Sequence, residues 1–241
     1  MNPPVLREIP GMLPCASLGP AQRDEMFALL TRHFVGVTRA QFERDLADKN
    51  WVIELRRGGR LVGFSTLLAT ASVFAGRPLT ALYSGDTIVA PEAWGTPELS
   101  RTWIAAVNRL RADFPDRPCY WLLLTSGFRT YRFLPVFWRE FHPRPAIPTP
   151  PGRQQLLEHL AAEHYGSLFD PATGLVRFPQ PQRLRGPLAE VPAGRRSDPH
   201  VAFFLARNPG HAAGDELACL AEICESNLTA AGRRMVAPAG P

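Results

Sequence analysis

Apolar and polar positions along this chain recur with two periods, and the switches between them outline the elements. Between residues 21 and 34, Met26, Phe27, Leu29, Leu30 and Phe34 fall on or near one helical face, and Gly36 ends the pattern. Thr38-Arg39-Ala40-Gln41 has capping-box spacing and predicts a second helix carrying Phe42 and Leu46. Trp51 to Arg56 alternates as a strand, Gly58-Gly59 signals a hairpin turn, and Leu61 to Ala69 returns as its partner. A loop through Gly76-Arg77-Pro78 leads to a third strand near residues 79–90. A helix follows from Pro97 to about Asp113, with Leu99, Trp103, Val107 and Leu110 on its buried face. Pro115 and Pro118 close it. The apolar run Cys119–Thr125 predicts a buried strand, Ser126-Gly127 a turn, and Phe128–Phe141 an aromatic-rich helix that Pro135 bends or divides.

Beyond this point the pattern loosens. Residues 143–152 hold five prolines and one glycine and read as a linker or irregular wrap. Gln154 to Tyr165 predicts a helix, 170–199 carries no periodicity, His200–Ala206 is a strand candidate, and Asp215 to about Ala230 predicts a final helix. The early hairpin implies antiparallel pairing and the strand–helix–strand unit a parallel pair. The expected fold is therefore α/β (α+β), with a mixed, mostly antiparallel central sheet and helices on both faces. The expected organisation is a main unit over 1–142, a proline- and arginine-rich insertion or lid over 143–199, and a last strand and helix over 200–241 that complete the same domain.

A chain of 241 residues with 45% hydrophobic content can bury one sizeable core, and no run reaches the roughly 18 apolar residues of a membrane span. Met1-Asn2-Pro3-Pro4 does not open like a secretory signal, and Cys15, Cys119, Cys219 and Cys224 form neither a disulfide framework nor a zinc pattern, which together imply a cytoplasmic protein. Cys219 and Cys224, five apart on the predicted final helix, would lie roughly 140° apart around it. The net charge is +5, and all the basic residues but Lys49 are arginine. Such a balance favours acidic partners, namely nucleic acid, an anionic membrane surface, a phosphorylated cofactor or an acidic carrier protein. The scatter of the arginines argues against nucleic acid.

The stretch from Tyr83 to Leu99 carries the most chemistry. It reads as strand, loop and helix start, with Thr96 placed to cap, Pro97 at the first helical position and Glu98 in the first turn. Free backbone N–H groups and the positive end of the helix dipole then face the loop, an arrangement suited to phosphate, with Gly95 allowing close backbone approach. Neither a P-loop nor a Gly-x-Ser-x-Gly elbow is present. His159 and His164, five apart, do not share a helix face as metal ligands, so no metal is expected.

This element order, with an anion loop after the third strand of the run, resembles the GNAT acyltransferase superfamily over roughly residues 20–142, with 200–206 as a further candidate segment. The resemblance implies an N-acyltransferase that carries acyl-CoA or acetyl-CoA in a V-shaped gap between two adjacent parallel strands. Residues 79–90 would be the first of these strands, Val89–Leu99 the pyrophosphate loop and helix start, and Cys119–Thr125 the second strand. Val89, Ala90, Trp94, Gly95 and Thr96 would then bind the cofactor from one side of the gap, and Ser126 and Arg129 from the other. The loop reads Ala93-Trp94-Gly95-Thr96-Pro97, where the family usually has Arg or Gln, two residues, Gly, one residue and Gly or Ala. An acyl carrier protein is accordingly an alternative donor. The acceptor would be the amine of a small molecule or peptide, and oligomerisation is left open.

Acyl transfer to an amine requires removal of a proton from the amine, polarisation of the carbonyl and stabilisation of the departing thiolate. Asp86, a carboxylate in an otherwise apolar strand, is the candidate base or amine-orienting group, with Glu92 in the loop as an alternative. Tyr131, after the second gap strand, is the candidate acid toward the thiolate, flanked by Arg129 and Arg132 as phosphate or carboxylate partners. Trp94, Trp103, Trp121, Phe128, Phe133, Phe137 and Trp138 would line an acyl pocket or fill ordinary core. The competing reading is a non-catalytic GNAT-like module that binds a ligand or partner.

Overall fold

In the computed structural model, which describes residues 11–236, the chain runs β1 (Leu13–Pro14), α1 (Pro20–His33), β2 (Phe34–Val35), α2 (Arg39–Ala47), β3 (Trp51–Arg57), β4 (Arg60–Phe74), β5 (Arg77–Val89), α3 (Glu98–Ala112) and β6 (Cys119–Thr125). It continues through α4 (Phe128–Tyr131), α5 (Phe133–Phe137), α6 (Pro151–Tyr165), β7 (Phe169–Asp170), β8 (Leu175–Val176), β9 (Arg183–Leu184), α7 (Pro199–Arg207), β10 (Glu216–Glu222) and α8 (Ala230–Val236). Eight strands form one sheet in the order β1-β3-β4-β5-β6-β10-β8-β7. Only β5 and β6 pair in parallel; every other neighbour is antiparallel. This is the mixed, mostly antiparallel sheet expected from the pattern.

Strand alternation splits the core into two layers. Ile53, Leu67, Leu82, Trp121, Leu123 and Cys219 face α3 and α8, while Ala81, Tyr83, Leu122, Ala218 and Leu220 face α6. Helices α1 and α2 pack beside Val52, Phe64 and Ile88. Thr38 caps α2 by accepting from the Gln41 N–H at 3.2 Å, while the Gln41 side chain bonds Asp45 and Arg44 instead of closing the box. The long β4–β5 hairpin closes on Ala75 and Gly76, both at positive φ, so the strands extend past the predicted end at Ala69.

Two predicted elements are exchanged. His200–Ala206 lies in helix α7, because the Asp198 carboxylate accepts from the His200 and Val201 N–H groups and Pro199 opens the first turn. Residues 216–222 form strand β10 rather than helix, and α8 begins only at Ala230. The sequence Glu-Leu-Ala-Cys-Leu-Ala-Glu has weak strand propensity. Its five central residues are nonetheless buried between β6 and β8, so tertiary pairing overrides local preference. Cys219 and Cys224 accordingly never share a helix. The predicted helix 128–141 is two short helices, broken after Tyr131, followed by extended chain.

The unassigned stretch 170–199 holds a strap. After β8 it crosses to pair β9 with β2, where the Arg185 N–H donates to the His33 carbonyl at 2.8 Å. On its other side, Leu184 packs near Gly127 and the Leu188 carbonyl accepts from Arg129 at 2.9 Å.

Candidate functional site

The parallel ladder between β5 and β6 runs only from Thr80↔Cys119 to Ser84↔Leu123. Beyond it the strands separate, leaving Gly85–Val89 paired to β4 alone and Leu124–Thr125 paired to β10 alone. A register shift opposite Ser65 drives the separation. Thr66 opposes Gly85 and Phe64 opposes Ile88, so Asp86 and Thr87 bulge from β5. The Thr87 hydroxyl locks the bulge, lying 2.7 Å from the Ser65 hydroxyl and donating to the Gly85 carbonyl at 2.9 Å. This opening is the gap that the resemblance implies.

Three ionisable groups converge there from distant parts of the chain. Asp86 sits on the bulge. Lys49, beyond the end of α2, lies over Gly85, where an added Cβ would come within 2.9 Å of the Lys49 Cε and would displace the lysine end. Glu216 opens β10, next to the strand that flanks the far side of the gap. Burial raises the Asp86 carboxyl to about 6, helped by Asp45 and opposed by Lys49. Burial and the Asp86 charge raise Glu216 to about 7. Both residues are half-buried overall, and the protein packed around their carboxyl groups is the main cause of the upward shifts. Beside them His164 stacks on Tyr83 with ring centroids 4.1 Å apart, and burial lowers the His164 pKa.

At the outer end of the gap, the loop after β5 forms one turn over Pro91–Ala93 and reaches α3 through Gly95, at φ +86° with open space where a Cβ would stand. Helix α3 begins at Glu98, one residue later than expected, with Pro97 as N-cap and no side-chain cap. Thr96 does not cap. Its hydroxyl accepts from the Arg57 guanidinium at 2.9 Å, and the same guanidinium reaches the Glu92 carbonyl at 3.1 Å and the Glu98 carboxylate at 3.4 Å. Uncapped N–H groups, an open glycine and an arginine in one place fit a diphosphate. Trp94 is 44% exposed, and its indole N–H donates to the Val89 carbonyl at 2.9 Å. The Arg129 guanidinium, from the β6 side, lies 4.6 Å from its ring centroid.

Not every predicted residue reaches the gap. Tyr131 has no accessible surface. Its hydroxyl donates to the Pro143 carbonyl at 2.9 Å, its ring lies among Phe141, Phe203 and Phe204, and burial raises its pKa, so in this conformation it cannot serve a thiolate. Glu92 points outward to Arg60 at 2.9 Å, and hydrogen bonding to its own backbone N–H, together with nearby cations, holds its pKa below the usual range, the opposite of what a base needs. Arg132 pairs with Asp198 at 3.0 Å rather than facing the gap. Trp103, Trp121, Trp138, Phe133 and Phe137 pack on one another as core beside α3. Ser126 stays partly accessible at the end of β6.

Sequence reasoning misses Glu216, because its segment carries a helical pattern, and Arg57, because a hairpin arginine carries no local signal. Among the described residues no helix is long and apolar enough to cross a membrane.

No protein-family model and no curated protein matches this chain. Solved structures resemble parts of it. A probable N-acyltransferase of Enterococcus faecalis, of unknown function, is 15% identical with a TM-score of 0.40, over 52% of this chain and 31% of that one. The chain thus spans about a third of that protein. A GNAT family N-acetyltransferase of Escherichia coli (YhbS), in complex with CoA, is 16% identical with a TM-score of 0.37, over 57% and 72%. N-myristoyltransferase of Saccharomyces cerevisiae, with bound myristoyl-CoA, is 15% identical with a TM-score of 0.38, over 72% and 46%.

Proposed function

We propose that this chain is a divergent GNAT-like N-acyltransferase that moves an acyl group from acyl-CoA to an amine. The observation that carries this reading is the separation of β5 from β6 beyond Ser84↔Leu123, with two raised carboxyls inside and an uncapped helix start at its outer end. The N–H groups of the first α3 turn, Gly95 and Arg57 would hold the diphosphate. Arg57 would supply the cation that the family's loop usually carries within its own sequence. The thioester supplies an activated carbonyl. An amine entering as ammonium gives its proton to the Asp86–Glu216 pair. Its nitrogen then bonds to the carbonyl carbon, the C–S bond breaks with its electron pair going to sulfur, and the thiolate takes the second N–H proton to leave as the thiol, giving a neutral amide. A base that titrates near neutrality suits this step at physiological pH. Lys49 beside Asp86 favours the ionised form that accepts the proton.

The test is calorimetry of acetyl-CoA, a long-chain acyl-CoA and free CoA, followed by thiol release in a panel of amines. Saturable binding and amine-dependent thiol release are expected. Absence of both would overturn the proposal.

One alternative has specific support. The buried, engaged Tyr131 and the occupied Val89 carbonyl favour a ligand-binding module without turnover. CoA binding without thiol release from any amine would favour it.

A further inference from the structure

A second cavity opens at the other end of the sheet, at Tyr120 of β6 and Glu222 of β10. It lies about 16 Å along β6 from the splayed end at Thr125, at about 3.3 Å per residue. Its volume is about 430 Å³, within the range that holds a small metabolite. Arg139, Arg144 and Arg153 line it, together with Glu140, His142, Glu222 and Cys224.

The walls are built. Asn227 donates to the Glu140 and Glu222 carbonyls, both at 2.9 Å, and accepts from the Glu140 N–H at 2.8 Å. Arg153 is clamped, donating to the Tyr120 hydroxyl at 2.7 Å and to Glu222 at 2.8 Å. The His142 Nε2 lies 3.2 Å from Glu140. The carboxylates of Glu140 and Glu222 face His142 and Arg153, and neither pairs with Arg139 or Arg144. Arg144 donates only to the neutral Arg139 carbonyl, at 2.9 Å, and its Nε is buried without a partner; Arg139 has no carboxylate partner among the described residues.

A guanidinium whose fork is not taken by a carboxylate presents paired donors shaped for an oxyanion, and one whose Nε is cut off from water gains most from acquiring one. We propose that this cavity binds a small metabolite through a phosphate or carboxylate group held by Arg139 and Arg144. The site is separate from the gap and does not depend on the acyltransferase reading.

Cys224 reports on occupancy. It is the one partly accessible cysteine, the other three being buried. The experiment follows its alkylation by iodoacetamide, resolved by peptide mass spectrometry, in the full chain at constant ionic strength. Pyrophosphate is one arm, citrate the other, and chloride the control. Saturable protection by pyrophosphate or citrate is expected, about tenfold at ten times the dissociation constant. The more protective arm identifies the phosphate or carboxylate source. In the doubly substituted R139A/R144A protein, with its fold checked by thermal unfolding, protection is lost. Rates that match chloride in both arms overturn the proposal. So does protection that survives the double substitution. If the double variant does not fold, the single Arg139→Ala change at the exposed rim replaces it, with weakened protection expected and unchanged protection overturning.

Discussion

The Arg129 guanidinium stacks 4.6 Å from the centre of the Trp94 indole and so ties the loop after β5 to the helix after β6, across the line where those strands separate. Trp94 is the accessible member of five tryptophans; the other four are buried. Collisional quenching by iodide therefore reports mainly on this contact. Arg129→Ala uncovers the ring, so the quenching constant should rise, with a stability loss of about 1 kcal/mol for an exposed cation–π pair. CoA bound at the loop should lower quenching in the wild type. Unchanged quenching in both experiments would show that the contact does not govern access.

Asp86 and Glu216 make the protein's behaviour pH-dependent in a direction opposite to that of paired carboxylates. Both bind protons more tightly in the folded chain, Asp86 rising from 3.8 to about 6 and Glu216 from 4.5 to about 7. Across that window the folded state holds more protons than the unfolded one, so stability falls as pH rises and levels off above pH 7. Glu216→Gln should raise the melting temperature at pH 8 and leave it nearly unchanged at pH 4. A drop at pH 8 would show that the carboxylate has a stabilising partner.

The same pair sets the expected rate profile. On the proposed function, kcat/KM rises with pH through two steps near 6 and 7 that belong to the pair rather than to either residue. Asp86→Asn should lower kcat by about 10²- to 10⁴-fold with little change in donor affinity. Glu216→Gln should leave a single step. Full activity in Asp86→Asn would remove it as the base.

Tyr131→Phe tests whether this tyrosine takes any part in the chemistry. Its hydroxyl bonds a carbonyl inside an aromatic cluster. The substitution should cost about 1 kcal/mol in denaturant unfolding and leave kcat within about twofold. A large fall in kcat without loss of stability would mean that the tyrosine reaches the gap in a conformation other than this one.

Arg57→Ala probes the loop. Removing the guanidinium should weaken CoA binding by about tenfold or more, in line with charge-assisted hydrogen bonds, and reduce its salt dependence. Equal affinity would leave the diphosphate to the backbone alone.

The first two-thirds of the fold was legible because its elements carry local signals: the Thr38 cap, the Gly58-Gly59 turn and the apolar run of β6. The end of the chain was not. Asp198-Pro199 is a helix-start signature that a strand reading of the following apolar run overlooked. Strand β10 is composed largely of alanine and leucine, and its state is set by neighbours far away in sequence. The site divided the same way. Asp86 stood out as a charge in an apolar strand, whereas Glu216 and Arg57 become functional candidates only when topology brings them to the gap.

The strap from β8 to β9 also decides how anything could reach the gap. It holds the end of α1 through Arg185 and the β6 side through Leu184 and Leu188, so it is anchored at both ends like a bridge rather than hinged at one like a flap. An extended molecule cannot be laid under a bridge from above. On the proposed function, an extended acceptor would be threaded from one end, which favours chain termini over interior positions.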